Sequence, residues 1–174
     1  MNGLSSTSSS AKWLSSSSSS MNVRYCPINT VPSIAQRYLG SPTHPIRPKI
    51  VHMWKTRDKN TLWWRVSVAP LKNAKRVVRS WCARRARLAF QEALRNQGYD
   101  DLGIPLKDSP TPRKHNLTGS LELTLRPGCI NRDFKVVQRD AHYLLRNVLQ
   151  QRSADFENRA KEVARHPRLW KDKA

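Results

Sequence analysis

Between Ser120 and Arg126, Leu121, Leu123 and Leu125 alternate with Glu122, Thr124 and Arg126, and Pro127-Gly128 closes the run. Residues two apart stand on one face of a strand, so this is a strand with one dry face and one wet face. A sheet built around it is covered on one side only. The rest of the chain must supply that cover and the partner strands.

A second strand follows from Thr61 to Ala69, where Leu62, Trp64, Val66 and Val68 fall on one side and Trp63, Arg65 and Ser67 on the other. Ile50, Val51, Met53 and Trp54 make Lys49 to Lys55 β-compatible. The polar Arg57-Asp58-Lys59-Asn60 then suits a hairpin loop joining the two. Helical spacing is strongest from Lys72 to Gln97, with Ala74, Val77, Val78, Trp81, Cys82, Ala86, Leu88, Ala89 and Ala93 on one half and Gly98 placed as a C-terminal cap. A second helix is predicted from Arg132 through Phe134, Val137, Ala141, Leu144, Leu145 and Val148. A third, over Ala154 to Arg165, carries Phe156, Ala160 and Val163, with Ser153 as cap. The order β-β-α-β-α-α predicts a small two-layer α+β domain over residues 47–151, with about three antiparallel-type strands and helices on one face. Residues 152–174 read as a C-terminal helix and basic tail.

Residues 1–46 differ in composition. They hold the serine blocks Ser5 to Ser10 and Ser15 to Ser20, then Pro27, Pro32, Pro42 and Pro45. Such a segment is expected to be a disordered leader, because it offers little apolar area to offset the entropy of ordering it. Acidic residues are absent until Asp58, while Lys12, Arg24, Arg37, Arg47, Lys49 and Lys55 precede it. Serine-rich, acid-poor and arginine-bearing is the composition of a mitochondrial transit peptide, which places the protein in the matrix; the alternative is a low-complexity tail on a nuclear protein.

Charge carries the functional expectation. The chain has 32 Lys and Arg against 12 Asp and Glu, a net charge of +20. Charge of one sign at this level repels itself in the compact state and favours a polyanionic partner. No apolar run approaches the roughly 20 residues that span a bilayer, so no transmembrane segment is expected. Within residues 72–95 stand Lys72, Lys75, Arg76, Arg79, Arg84, Arg85, Arg87 and Arg95 against the single acid Glu92. A merely solvated helix face would intersperse glutamates with these at i, i+4. Arginine's planar fork suits phosphate. Lys72, Arg76, Arg79, Arg84 and Arg87 are therefore candidate nucleic-acid contacts, joined by Arg113 and Lys114 in the proline-marked loop 99–118. Trp63 and Arg65, on the strand face opposite the apolar set, are candidates for stacking on an unpaired base.

No catalytic constellation accompanies this. Asp100, Asp101 and His115 share a loop, but adjacent acids after a helix are usually turn formers, and no Walker, HExxH, GxSxG or dinucleotide motif occurs. Cys26, Cys82 and Cys129 have neither disulfide-framework nor zinc spacing and are expected as free thiols. Neither metal nor cofactor is implied. The expectation is a non-catalytic RNA-binding structural or assembly component of a mitochondrial ribonucleoprotein particle, the ribosome or its biogenesis foremost, in contact with nucleic acid and with other protein subunits. One alternative is a mitochondrial accessory factor that binds an acidic protein or anionic lipid. A second is a small nucleic-acid-processing enzyme.

Overall fold

The computed structural model describes residues 13–106 and 115–165, with Ser33 and residues 155–165 described by their backbone alone. The leucine alternation forms a strand over Gly119–Leu125 at the interior of a four-stranded sheet. In chain order the strands are β1 (Leu14–Ser17), β2 (Met21–Cys26), β3 (Leu62–Ser67) and β4 (Gly119–Leu125), and they lie side by side as β1-β2-β4-β3. β2 pairs antiparallel with both β1 and β4, whereas β3 runs parallel to β4. Met21, Val23 and Tyr25 stand opposite Leu125, Leu123 and Leu121, and Trp64 and Val66 continue the row on β3. Register thus gathers the apolar residues of three strands on one face.

Helices cover that face. α3 (Arg76–Asn96) contributes Cys82, Ala86, Ala89, Phe90, Ala93 and Leu94 to the core. α4 (Phe134–Arg165) contributes Val137, Ala141, Leu144, Leu145 and Val148. Two parallel strands cannot be joined by a tight turn, and α3 is the crossover between β3 and β4. The molecule is an α+β fold of sheet and helices, as the periodicities imply. Two further helices, α1 (Ser33–Leu39) and α2 (Arg47–Thr56), lie between β2 and β3 in the chain.

Four local expectations are corrected. Residues 13–46 are not an unstructured leader: they include β1, β2 and α1, and Met21, Val23 and Tyr25 are fully buried. Met21 to Cys26 does alternate apolar with polar, but the serine block before it masks the signal. β1 itself, Leu-Ser-Ser-Ser, has little strand propensity and owes its conformation to pairing with β2. Second, the stretch Lys49 to Lys55 is helical, not a strand. Pro48 in the first turn suits a helix start, and β3 already has its ladder partner in β4.

Third, α3 begins at Arg76, after a short 3-10 turn at Ala69–Leu71. Its buried stripe is rotated toward Ala83, Phe90 and Leu94, leaving Val77, Trp81 and Leu88 exposed. Gly98 (φ 83°) ends the helix in the left-handed conformation expected of it. Fourth, the two C-terminal helices are one. Ser153 Oγ donates to the Gln150 carbonyl (2.8 Å) within the helix instead of capping a new one, so the boundary expected at 151/152 falls inside α4. The side chains of Phe156, Ala160 and Val163 lie outside the described residues.

The β1–β2 turn is tied to α4 by Asp140, whose Oδ2 accepts the Ser19 hydroxyl and the Ser20 backbone N–H, both at 3.0 Å. Burial alone would raise this carboxyl. Hydrogen bonds from Ser20, Ser18 and Ser19 outweigh it and hold the group below the usual aspartate range. A depressed native pKa means stabilisation that is complete above the unfolded value of about 3.9 and lost as pH falls through the native one. Asp140→Asn is therefore expected to cost about 1 kcal/mol at pH 7, at the lower end for a charged hydrogen bond because the site is partly solvated. The deficit should shrink as pH is lowered from 5 towards 3, read as the difference in urea midpoint from the parent chain. The three cysteines are buried free thiols, and burial followed by the neighbouring Cys82 pushes the Cys129 thiol up to about 12.

Candidate nucleic-acid interface

β3 is an outer strand of the sheet, and α3 returns along it. Between them runs a groove of about 460 Å³, bordered by Val66 and Val68 on one side and by Arg76, Arg79, Arg84 and Arg87 on the other. Arg76, Ser80, Ala83, Arg84 and Arg87 recur at the three- and four-residue spacing that places side chains on one side of a helix. Ser80 and Ala83, too small to fill the space between the arginines, leave the groove open.

None of these four arginines has a carboxylate partner among the described residues. Among the described residues, the ion pairs are Arg65–Glu122 at 2.7 Å and Arg95–Asp101 at 4.0 Å. Arg76, Arg84 and Arg87 are exposed, and half-buried Arg79 keeps its Nε without an acceptor. Arg85 is different. Its Nη2 donates to the Arg132 carbonyl at 2.6 Å and its guanidinium lies 4.2 Å from the centroid of the Trp81 ring, so it serves the fold. Lys72 is exposed just ahead of α3. The groove therefore offers permanently charged, fork-shaped donors with their own acceptors missing, which is the arrangement that phosphate oxygens complete.

Trp63 and Arg65 lie elsewhere, on the sheet face opposite the helices. That face is not bare at Trp63. The indole Nε1 donates to the Asp58 carbonyl at 2.8 Å, Trp54 of α2 meets the ring edge-on at 4.5 Å, and the Arg57 guanidinium sits 4.6 Å from the ring centroid. Residues 27–57, once ordered, cover the tryptophan, which is 6% exposed. Arg65 is held by Glu122. Arg113 and Lys114 lie outside the described residues.

The acidic loop is occupied by its own backbone. Asp100 Oδ1 accepts the N–H groups of Leu102 and Ile104, each at 2.8 Å, and Asp101 Oδ2 accepts Gln91 Nε2 at 2.9 Å. Among the described residues no group of three or more His, Cys, Asp or Glu side chains is gathered to hold a metal ion. Nor is any described helix long and apolar enough to cross a membrane. Two further cations reach the sheet face opposite the helices, Arg24 on β2 opposite Glu122 and Arg57 over Trp63; the alternation Met21 to Cys26 marks the side on which Arg24 stands, and no pattern in the sequence marks Arg57.

No protein family, curated protein or solved structure matches this chain.

Proposed function

We propose that this protein is a non-catalytic RNA-binding component of a ribonucleoprotein particle, in the mitochondrial matrix, with the ribosome or its assembly pathway as the leading particle. The observation that carries the proposal is the convergence of Arg76, Arg79, Arg84 and Arg87, which have no carboxylate partner among the described residues, on one groove at the sheet's edge. Such contacts position a nucleic-acid backbone without reading its sequence. The exposed Val77, Trp81 and Leu88 on the outer side of the same helix suit contact with a neighbouring protein subunit. The mitochondrial address rests on the serine-rich, acid-free opening of the chain, of which only the residues ahead of β2 could be removed without cutting into the buried rows of the sheet.

The test is a salt series on the full chain with structured RNA, duplex DNA and anionic vesicles. If all four arginines meet phosphates, log K for RNA should fall against log salt with a slope of about −3, at roughly −0.7 to −0.9 per contact. RNA affinity that stays flat with salt, alongside tighter vesicle binding, would overturn the proposal.

A further inference from the structure

The sheet face opposite the helices carries a second concavity, unconnected with the arginine groove. Its volume is about 330 Å³. The floor is a row across three strands, Arg24 on β2, Glu122 on β4 and Arg65 on β3, aligned by register. Arg24 places its guanidinium 4.8 Å from the centroid of the Trp13 ring, and Arg57 lies over Trp63 on the other side. One wall is the segment leading into α1, fixed to the sheet by the Thr30 N–H donating to Ser120 Oγ at 2.8 Å.

These features select a ligand class. The volume is at the low end of the roughly 300–1,000 Å³ of small-ligand clefts, enough for one nucleotide and too small for a stretch of strand. Arg24 and Arg57 have no carboxylate partner among the described residues, so both guanidinium groups reach the hollow with donors to spare. A bare anion would need only these cations and would be repelled by Glu122. Glu122 is instead suited to an N–H donor, since a carboxylate offers about four acceptor positions and Arg65 takes only part of that capacity. Trp13, half-buried and flanked by a cation, offers a surface for a planar ring.

We propose that this hollow binds a single nucleotide whose base bears an exocyclic amino group, the base lying on the Trp13 and Arg24 side with its edge donating to Glu122 and the phosphate meeting Arg57 across the hollow. The inference does not require the arginine groove to bind RNA, and its residues are different.

The test uses the full chain titrated calorimetrically with CMP, UMP and inorganic phosphate. CMP and UMP differ where the amino group stands, so CMP should bind about tenfold more tightly, the size of one charge-assisted hydrogen bond. Glu122→Gln should abolish that preference. Arg57→Ala should weaken CMP at least fivefold while the chain stays folded at the titration temperature, read by circular dichroism, which keeps the test open if the Glu122 variant folds poorly. Equal binding of CMP and UMP, or inorganic phosphate competing as well as CMP, overturns the proposal. An RNA hairpin with one bulged cytidine, compared with its fully paired counterpart, separates the sources: tighter binding of the bulged form places the nucleotide within RNA, and equal binding together with CMP affinity assigns a free mononucleotide. Replacing Arg76, Arg79 and Arg87 by Ala should leave CMP affinity unchanged. RNA binding without CMP binding removes the pocket and leaves the groove, and CMP binding without RNA binding does the reverse.

Discussion

A chain beginning at Pro27 is expected to lose cooperative folding, while a chain beginning at Trp13 should unfold in urea with the midpoint of the full-length protein. Composition alone would place both cuts inside a dispensable leader. The sheet distinguishes them. Met21, Val23 and Tyr25 are fully buried, and each such side chain is worth about 1.5–3 kcal/mol. Together they approach the whole stability of a domain this size, typically about 5–15 kcal/mol. Losing β2 also bares the edge of β4 and uncovers Leu121, Leu123 and Leu125, so the shortened chain should aggregate. Circular dichroism across a urea series reads the difference. The same reasoning constrains processing: any cut that keeps this sheet falls before Met21, and the mature N-terminus, mapped by mass spectrometry of the protein from cells, should lie ahead of that residue. A mature chain starting beyond Cys26 would refute the sheet order.

Replacing Arg76, Arg79, Arg84 and Arg87 together by Ala should lower RNA affinity by about 10²–10³ at physiological salt and flatten the salt slope by about 3. The effect is large because each lost contact no longer releases counterions, and these losses combine along one backbone. Stability should hold. Three of the four side chains are exposed, and substitutions at such positions usually change stability by within about 0.5 kcal/mol. The corresponding Lys replacements should restore most of the slope but less of the affinity, since the ammonium keeps the charge and loses the fork. A matched fall in thermal midpoint across the Ala set would show that the arginines serve the fold instead.

The sequence exposed the faces of this protein more readily than its connections. Leu121 to Leu125 announces a half-covered strand, and the arginines of α3 stand out because glutamates are missing between them. Period-two alternation states which residues share a face but not which strand lies alongside, so the parallel pairing of β3 with β4 was not legible and a local hairpin seemed the simpler choice. Ile50 and Val51 carry β propensity, yet the segment from Arg47 with Pro48 in its first turn winds into a helix and leaves the outer edge of β3 unpaired among the described strands. Serines hide β1 for the opposite reason, having little preference and taking the conformation of a neighbour. Trp63 shows the same limit: Lys49 to Lys55 reads as a strand of the sheet, and only its winding into α2 brings Trp54 against the ring.

The interleaving of the sheet has a consequence for how the chain is made. Cys26 pairs with Ser120 and Met21 with Leu125, so the strand that enters first finds its main neighbour only after most of the polypeptide has followed. Whether it emerges from a ribosome or threads through an import channel, the early hairpin spends that interval with an apolar face and an open ladder. Long-range pairings of this kind fold slowly and invite association. Refolding from denaturant is therefore expected to be slow and to lose more protein to aggregation as concentration rises, with the short serine-rich β1 leaving little apolar surface on the outer side of that early hairpin.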